Sequence, residues 1–170
     1  MPYGTVLGRV KALPGYHDVR SYPDARHLPG LVIYRFDAPL FFASAKTFRD
    51  QVLRLARADP PPSWIVIAAE PMTDVDTTAS DVLTELDGTL SDQGISLVFA
   101  ELKDPVRRKI ERYGLARTIE PRHFFPTIGA ATREFQHQTG AQWDRRRADC
   151  RRGDCLKARQ RPTAVRPKPR

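Results

Sequence analysis

The sequence predicts an α/β fold, a mixed β-sheet of about five strands flanked by four helices. Two patterns carry this. Short continuous apolar runs, WIVIAA at 64–69 and ISLVFA at 95–100, have the length and composition of strands covered on both faces. Longer segments between and after them repeat their apolar residues at helical spacing, and strands alternating with such helices build a layered sheet rather than an all-helical bundle. A third observation sets the size of the unit. The chain has 170 residues and a net charge of +8, but residues 1–143 hold 17 basic and 17 acidic side chains, so the whole excess lies in 144–170. One electrically neutral domain with a basic tail is the simplest organisation.

Taken in order, residues 1–30 alternate short apolar pieces with turn formers: VLGRV at 6–10, then PGYHD, SYPDA and LPG. One strand and a long surface connection follow from that. LVIYRF at 31–36 is β-branched and aromatic, and after the turn DAP a further strand is expected at LFFA, 40–43. Ser44 reads as an N-cap, with Ala45, Phe48, Val52, Leu55 and Ala56 forming the buried stripe of a helix that PPP at 60–62 stops. After the WIVIAA strand, Ala79, Val82, Leu83, Leu86 and Leu90 mark a second helix ending near Gly94. Asp104 and Pro105 begin a third, closed by Gly114, and a fourth runs over about 127–138. From Asp144 onward Arg, Pro, Gly and Ala dominate, a composition too poor in large apolar groups to offset its ordering entropy, so disorder is expected there.

DVDTTASDVL at 74–83 joins a strand to a helix at the carboxyl edge of the sheet. Thr78 followed three residues later by Asp81 suits a capping arrangement contributing about 1 kcal/mol. The same helix start would stabilise a phosphate carried by Thr77 or Thr78, although Asp74, Asp76 and Asp81 surround it with negative charge. Asp74 and Asp76 imitate half of a Mg2+ site, but no phosphate-binding motif accompanies them. Cys150 and Cys155, with four histidines scattered along the chain, give no metal-ligand spacing, and they fit free thiols in a reducing cytosol. His17 beside Asp18 is expected as a loop ion pair or a turn anchor. No nucleophile elbow is present, so no enzyme is expected. Apolar runs stay far below the roughly 20 residues of a membrane helix, so the chain by itself is expected to be soluble. The tail has the charge to touch anionic lipid, whereas specific nucleic-acid binding is not expected because aromatic residues are absent beyond Trp143.

The succession VLGRV, GYHDV, YPDA, PGLVIYRFDAPLFFASA, VDTTASDVL and GISLVFAELK resembles the STAS domain shared by SulP-type sulfate transporters and anti-sigma factor antagonists, from about residue 6 to about residue 139. Residues 6–44 are similar to the transporter branch in particular. The resemblance implies a non-catalytic regulatory and interaction domain, the C-terminal cytosolic module of a SulP-type sulfate/anion transporter, lying on the cytoplasmic side of the membrane. Its partners would be the transmembrane part of the transporter, regulatory proteins and a second copy in a homodimer. It implies Thr78 as the phosphoacceptor, with Thr77 the preceding hydroxyl, and Asp74, Asp76, Ala79 and Asp81 as the regulatory loop. Ala79 departs from the glycine usual in the family. Phe41, Phe42 and Ser44 would form the neighbouring partner or nucleotide edge, where some members bind guanine nucleotide; no other cofactor is implied. A free-standing anti-sigma factor antagonist acting as a phospho-switch is the alternative, since Met1 directly precedes the domain, and a nucleotide-sensing module is the second alternative.

Overall fold

The computed structural model describes residues 3–114 and 119–145. Its strands are β1 (Gly4–Gly8), β2 (His17–Asp18), β3 (Arg26–His27), β4 (Leu31–Phe36), β5 (Trp64–Ala68), β6 (Ser96–Ala100), β7 (Phe124–Phe125) and β8 (Asp144–Arg145). Its helices are α1 (Phe42–Ala56), α2 (Thr77–Asp92), α3 (Asp104–Arg112) and α4 (Ile128–Thr139), and a 3-10 turn at Pro121–His123 precedes β7.

Six strands form one mixed sheet in the order β2-β1-β4-β5-β6-β7. β1 runs antiparallel to β2 and β4, while β4, β5, β6 and β7 run parallel. β5 is buried along its whole length, as a central parallel strand must be. Its side chains alternate between two cores. Ile65 and Ile67 join Phe48, Val52, Leu83, Leu86, Val106 and Ile110 of α1, α2 and α3, whereas Trp64, Val66 and Ala68 join Ile128, Ala131 and Phe135 of α4. The period-2 pattern hidden in the continuous run WIVIA is therefore the division between the two faces of the sheet.

The sheet exceeds the expected five strands because β2 and β7, two residues each, are too short to carry a periodic signal. A separate ribbon pairs β3 with β8. Gly8 admits it: a Cβ there would lie 2.8 Å from the Arg26 carbonyl oxygen and 3.0 Å from the Ala25 Cβ. β8 also carries the structure two residues beyond the expected boundary at 143; the rest of that segment, with Cys150 and Cys155, lies outside the described residues. The strand expected at LFFA does not form. Leu40 makes one parallel bridge to Val75, and the Phe41 carbonyl already accepts from Ala45 N at 2.8 Å, the first bond of α1. His17 anchors a turn, with Nε2 2.8 Å from the Pro14 carbonyl oxygen, and Asp18 pairs with Arg20 at 2.9 Å instead of with His17.

Phe48 lies fully buried at the centre of the α1 face, its ring edge-on to Phe36 at 5.4 Å and tilted against Tyr34 at 6.2 Å. Phe48→Ala is expected to lower stability by about 3–5 kcal/mol in urea unfolding; a loss under about 1 kcal/mol would contradict this packing.

Candidate functional site

β5 ends at Ala68, and Ala69 N donates to the Ala100 carbonyl at 2.8 Å before the chain turns out of the sheet. Met72 and Val75 are buried and fix the outgoing loop to the core. The loop is also zipped to the connection after β4, because Leu40 N donates to the Asp74 carbonyl at 3.0 Å and Asp76 N donates to the Leu40 carbonyl at 3.2 Å. The starts of α1 and α2 thus lie side by side at the carboxyl edge of the sheet.

Asp76 holds both. Its backbone is extended at φ −97° and ψ 172°, and Oδ1 accepts from Ala79 N at 2.7 Å, which makes it the N-cap of α2. Oδ2 accepts from Phe42 N at 2.9 Å, the first residue of α1 and 34 positions away. Phe41 is the N-cap of α1 by backbone geometry but has no side-chain acceptor, so the Phe42 amide takes its oxygen from the neighbouring loop. Ser44 is therefore not the cap expected of it. It sits in the first turn, where Oγ accepts from Phe41 N at 3.0 Å and donates to the Pro39 carbonyl at 2.8 Å.

The cap expected of Thr78 with Asp81 likewise gives way to Asp76. Ser80 N already bonds the Asp76 carbonyl at 3.0 Å, so the helix begins two residues before a Thr78 cap would allow. Thr77 and Thr78 become the first two helical residues, both exposed, and neither hydroxyl has a partner among the described residues. Ala79 turns its methyl into the core beside Leu83, and Asp81 is exposed on the first turn of α2. Ser80 is buried, and its hydroxyl has no partner among the described residues.

Asp74 ties in the third helix. Its Oδ1 accepts from Val75 N at 2.9 Å and from the Lys109 ammonium of α3. The Lys109 contact, and secondarily the Val75 amide, hold the Asp74 carboxyl below the ordinary aspartate range, while Lys109 is raised in turn. Asp74 and Asp76 are thus committed to a lysine and to two helix starts. Among the described residues no three His, Cys, Asp or Glu side chains form a cluster that could hold a metal ion. Phe41 and Phe42, 41% and 73% exposed, stand beside the threonines on the other helix start. The structure therefore brings together the predicted set Phe41, Phe42, Asp74, Asp76, Thr77 and Thr78 on one edge, with Ser44 and Ala79 supporting it from beneath. Lys109 was missed by sequence reasoning, since nothing local links it to Asp74.

The family model described as STAS domain matches residues 22–131. A probable sulfate transporter of Mycobacterium tuberculosis is 38% identical over 138 residues, covering 81% of this chain and 25% of its own length. The chain thus spans about a quarter of that relative. Among solved structures, the inward-facing murine Solute Carrier 26 family member A9 anion transporter aligns with a TM-score of 0.73 at 21% identity, over 81% of this chain and 22% of that one. The STAS domain of a SulP transporter from Vibrio cholerae aligns at 0.57 and 18% identity, over 72% and 94%. At those identities the likeness is one of fold. No helix among the described residues is long and apolar enough to cross a membrane.

One cap is worth about 1 kcal/mol, so Asp76→Ala, which removes two, is expected to cost about 2 kcal/mol in urea unfolding. Asp76→Asn keeps one carbonyl acceptor but turns an amide NH2 toward the other helix start, so it should recover about half; stability equal to wild type would contradict the double cap. In a carboxyl NMR titration Asp74 should have its midpoint below the ordinary value of about 3.9, and Lys109→Met should move it back up toward that value. Because the folded pKa is the lower one, the stability from this pair is present at neutral pH and lost as the pH falls through the acid range below about 4.

Proposed function

The chain belongs to the STAS domain family, and from that premise we infer that it is the regulatory and interaction domain of a SulP-type sulfate/anion transporter, working on the cytoplasmic side of the membrane as the C-terminal module of a longer protein. Transport would belong to the transmembrane part; this domain would dock on it or on regulatory proteins, or pair with a second copy. The observation that carries this reading is the edge where α1 and α2 begin. One carboxylate locks two helix starts into a fixed relation, and two large aromatic side chains, Phe41 and Phe42, stand exposed on the rigid platform that results. Exposed aromatics held by rigid backbone are the kind of group that anchors protein interfaces. The relative's sulfate-transporter name supports the sulfate/anion assignment.

The exposed hydroxyls of Thr77 and Thr78, without a partner among the described residues, favour a second reading, in which this edge is a phospho-switch, with Thr78 the site of modification. A phosphate adds about −1.5 to −2 charges. Placed in the first turn of α2 it gains from the helix dipole but faces the Asp76 carboxylate that both caps depend on. Modification would therefore load the shared cap and change the platform that carries Phe41 and Phe42.

A chimera tests the first reading: the transmembrane part of the mycobacterial relative carrying this chain in place of its own matching segment, assayed for sulfate uptake. Uptake should survive with the wild-type chain and fall several-fold with Phe42→Asp, a change at an exposed position that leaves the fold intact. Equal uptake by both would contradict docking through this edge. Incubation with an anti-sigma-type kinase and ATP, followed by mass spectrometry, tests the second; phosphate on Thr78 is expected, and absence of label on both threonines would contradict the switch.

A further inference from the structure

On the opposite face of the sheet a cavity of about 220 Å³ opens between α4 and the long connection after β1. Its charge comes from two guanidinium groups. Arg9, just past the end of β1, lies over the Trp143 ring at 5.7 Å from its centroid, and Arg133 reaches from α4 toward its first turn. A Cβ on Gly129 would sit 3.3 Å from Arg133 Nη1, so the glycine leaves the guanidinium close against the helix backbone. Neither arginine has a carboxylate partner among the described residues, unlike Arg20, Arg35, Arg49, Arg107 and Lys109, each of which is paired.

The neutral wall is already organised. Thr132 Oγ1 donates to the Gly129 carbonyl at 3.0 Å and accepts from Tyr16 Oη, also at 3.0 Å, so both hydroxyl protons are used internally and the chain of bonds fixes the wall. The Tyr16 ring packs against Trp143 at 6.0 Å. Gln136 spends one amide N–H on the Ala141 carbonyl at 3.1 Å and keeps the other for a ligand. The charged groups left with free hydrogen-bonding capacity are thus both donors, two planar forks beside the positive end of α4, and the Gln136 amide, able to donate and to accept, stands with them. Such a set matches an acceptor-only, multiply charged ligand. Room for about seven waters accommodates a tetrahedral oxyanion with part of its hydration, and it is below the range of cavities that hold drug-sized molecules.

We propose that this cavity is an oxyanion site, at which Arg9 and Arg133 grip sulfate or phosphate and Gln136 adds a neutral donor. The site lies on the other side of the sheet from the Asp76 edge and does not depend on the reading of that edge. Anion binding there would tie the connection after β1 to α4, two elements otherwise joined through the Tyr16 hydroxyl and ring contacts.

The full chain, titrated with sodium sulfate and sodium phosphate and followed by amide and indole NMR, should show saturable shifts at Gly129, Arg133, Gln136 and the Trp143 side chain. Sodium chloride at matched ionic strength should not reproduce them. Saturable binding of either tetrahedral anion supports the proposal, and the two titrations rank sulfate against phosphate. Arg133→Gln and Arg9→Gln should each weaken binding about tenfold or more, the usual cost of one charge-assisted hydrogen bond, with the β5 and β6 resonances unmoved as a check on folding. Shifts reproduced by chloride, shifts confined to residues 146–170, or affinities unchanged in both variants would overturn it.

Discussion

Two helices that start next to each other share a single capping carboxylate. The first amides of any helix lack partners inside the helix, and two such starts side by side also bring together the positive ends of two dipoles. Asp76 answers both problems: one oxygen takes the Ala79 amide, the other the Phe42 amide, and its negative charge lies between the two ends. The Leu40–Val75 bridge brings the two connections into register so that this is geometrically available. Remove the carboxylate and the Phe42 amide of α1 loses its acceptor, since Phe41 cannot supply one and Ser44 Oγ serves the Phe41 amide instead.

The candidate edge follows from that constraint. Because Asp76 is the cap, Thr77 and Thr78 fall in the first helical turn and stay exposed, their hydroxyls without a partner among the described residues. Because Asp76 also binds α1, Phe41 and Phe42 are held beside them. Asp74, anchored to Lys109, extends the same network to α3. A perturbation at one threonine thus has a short physical route to the aromatic platform, through one shared carboxylate. The arginine cavity is built differently, on a face covered by one helix and a long connection, and its wall is held by a hydroxyl chain and stacked rings.

What was legible in the sequence is what depends on local pattern. The apolar runs at Trp64–Ala68 and Ser96–Ala100 and the helical stripes of α1, α2 and α4 carry their own periodicity, and they fold where that periodicity places them. The family resemblance, resting on the long run from Val6 to Ser44 and on the Asp-Thr-Thr signature, located the edge. Its chemistry was less visible. Thr78 and Asp76 are both good capping residues, and only the position of the first helical bond chooses between them. Phe41 and Phe42 look like strand residues until an acceptor 34 positions away makes a helix start of them. Lys109, the two-residue strands, and the meeting of Arg9, Tyr16, Arg133 and Trp143 arise from chain segments far apart in sequence, where pattern within a window says nothing.

Amide hydrogen exchange, compared between the wild-type chain and Asp76→Ala, tests the shared cap most directly, because it reads the two helix starts separately. The account predicts that Phe42 and Ala79 both lose protection on removal of the one carboxylate, while the amides of β5 and β6 keep theirs. If only Ala79 becomes labile and Phe42 exchanges as before, Asp76 caps α2 alone and the coupling between the threonines and the aromatic platform is wrong.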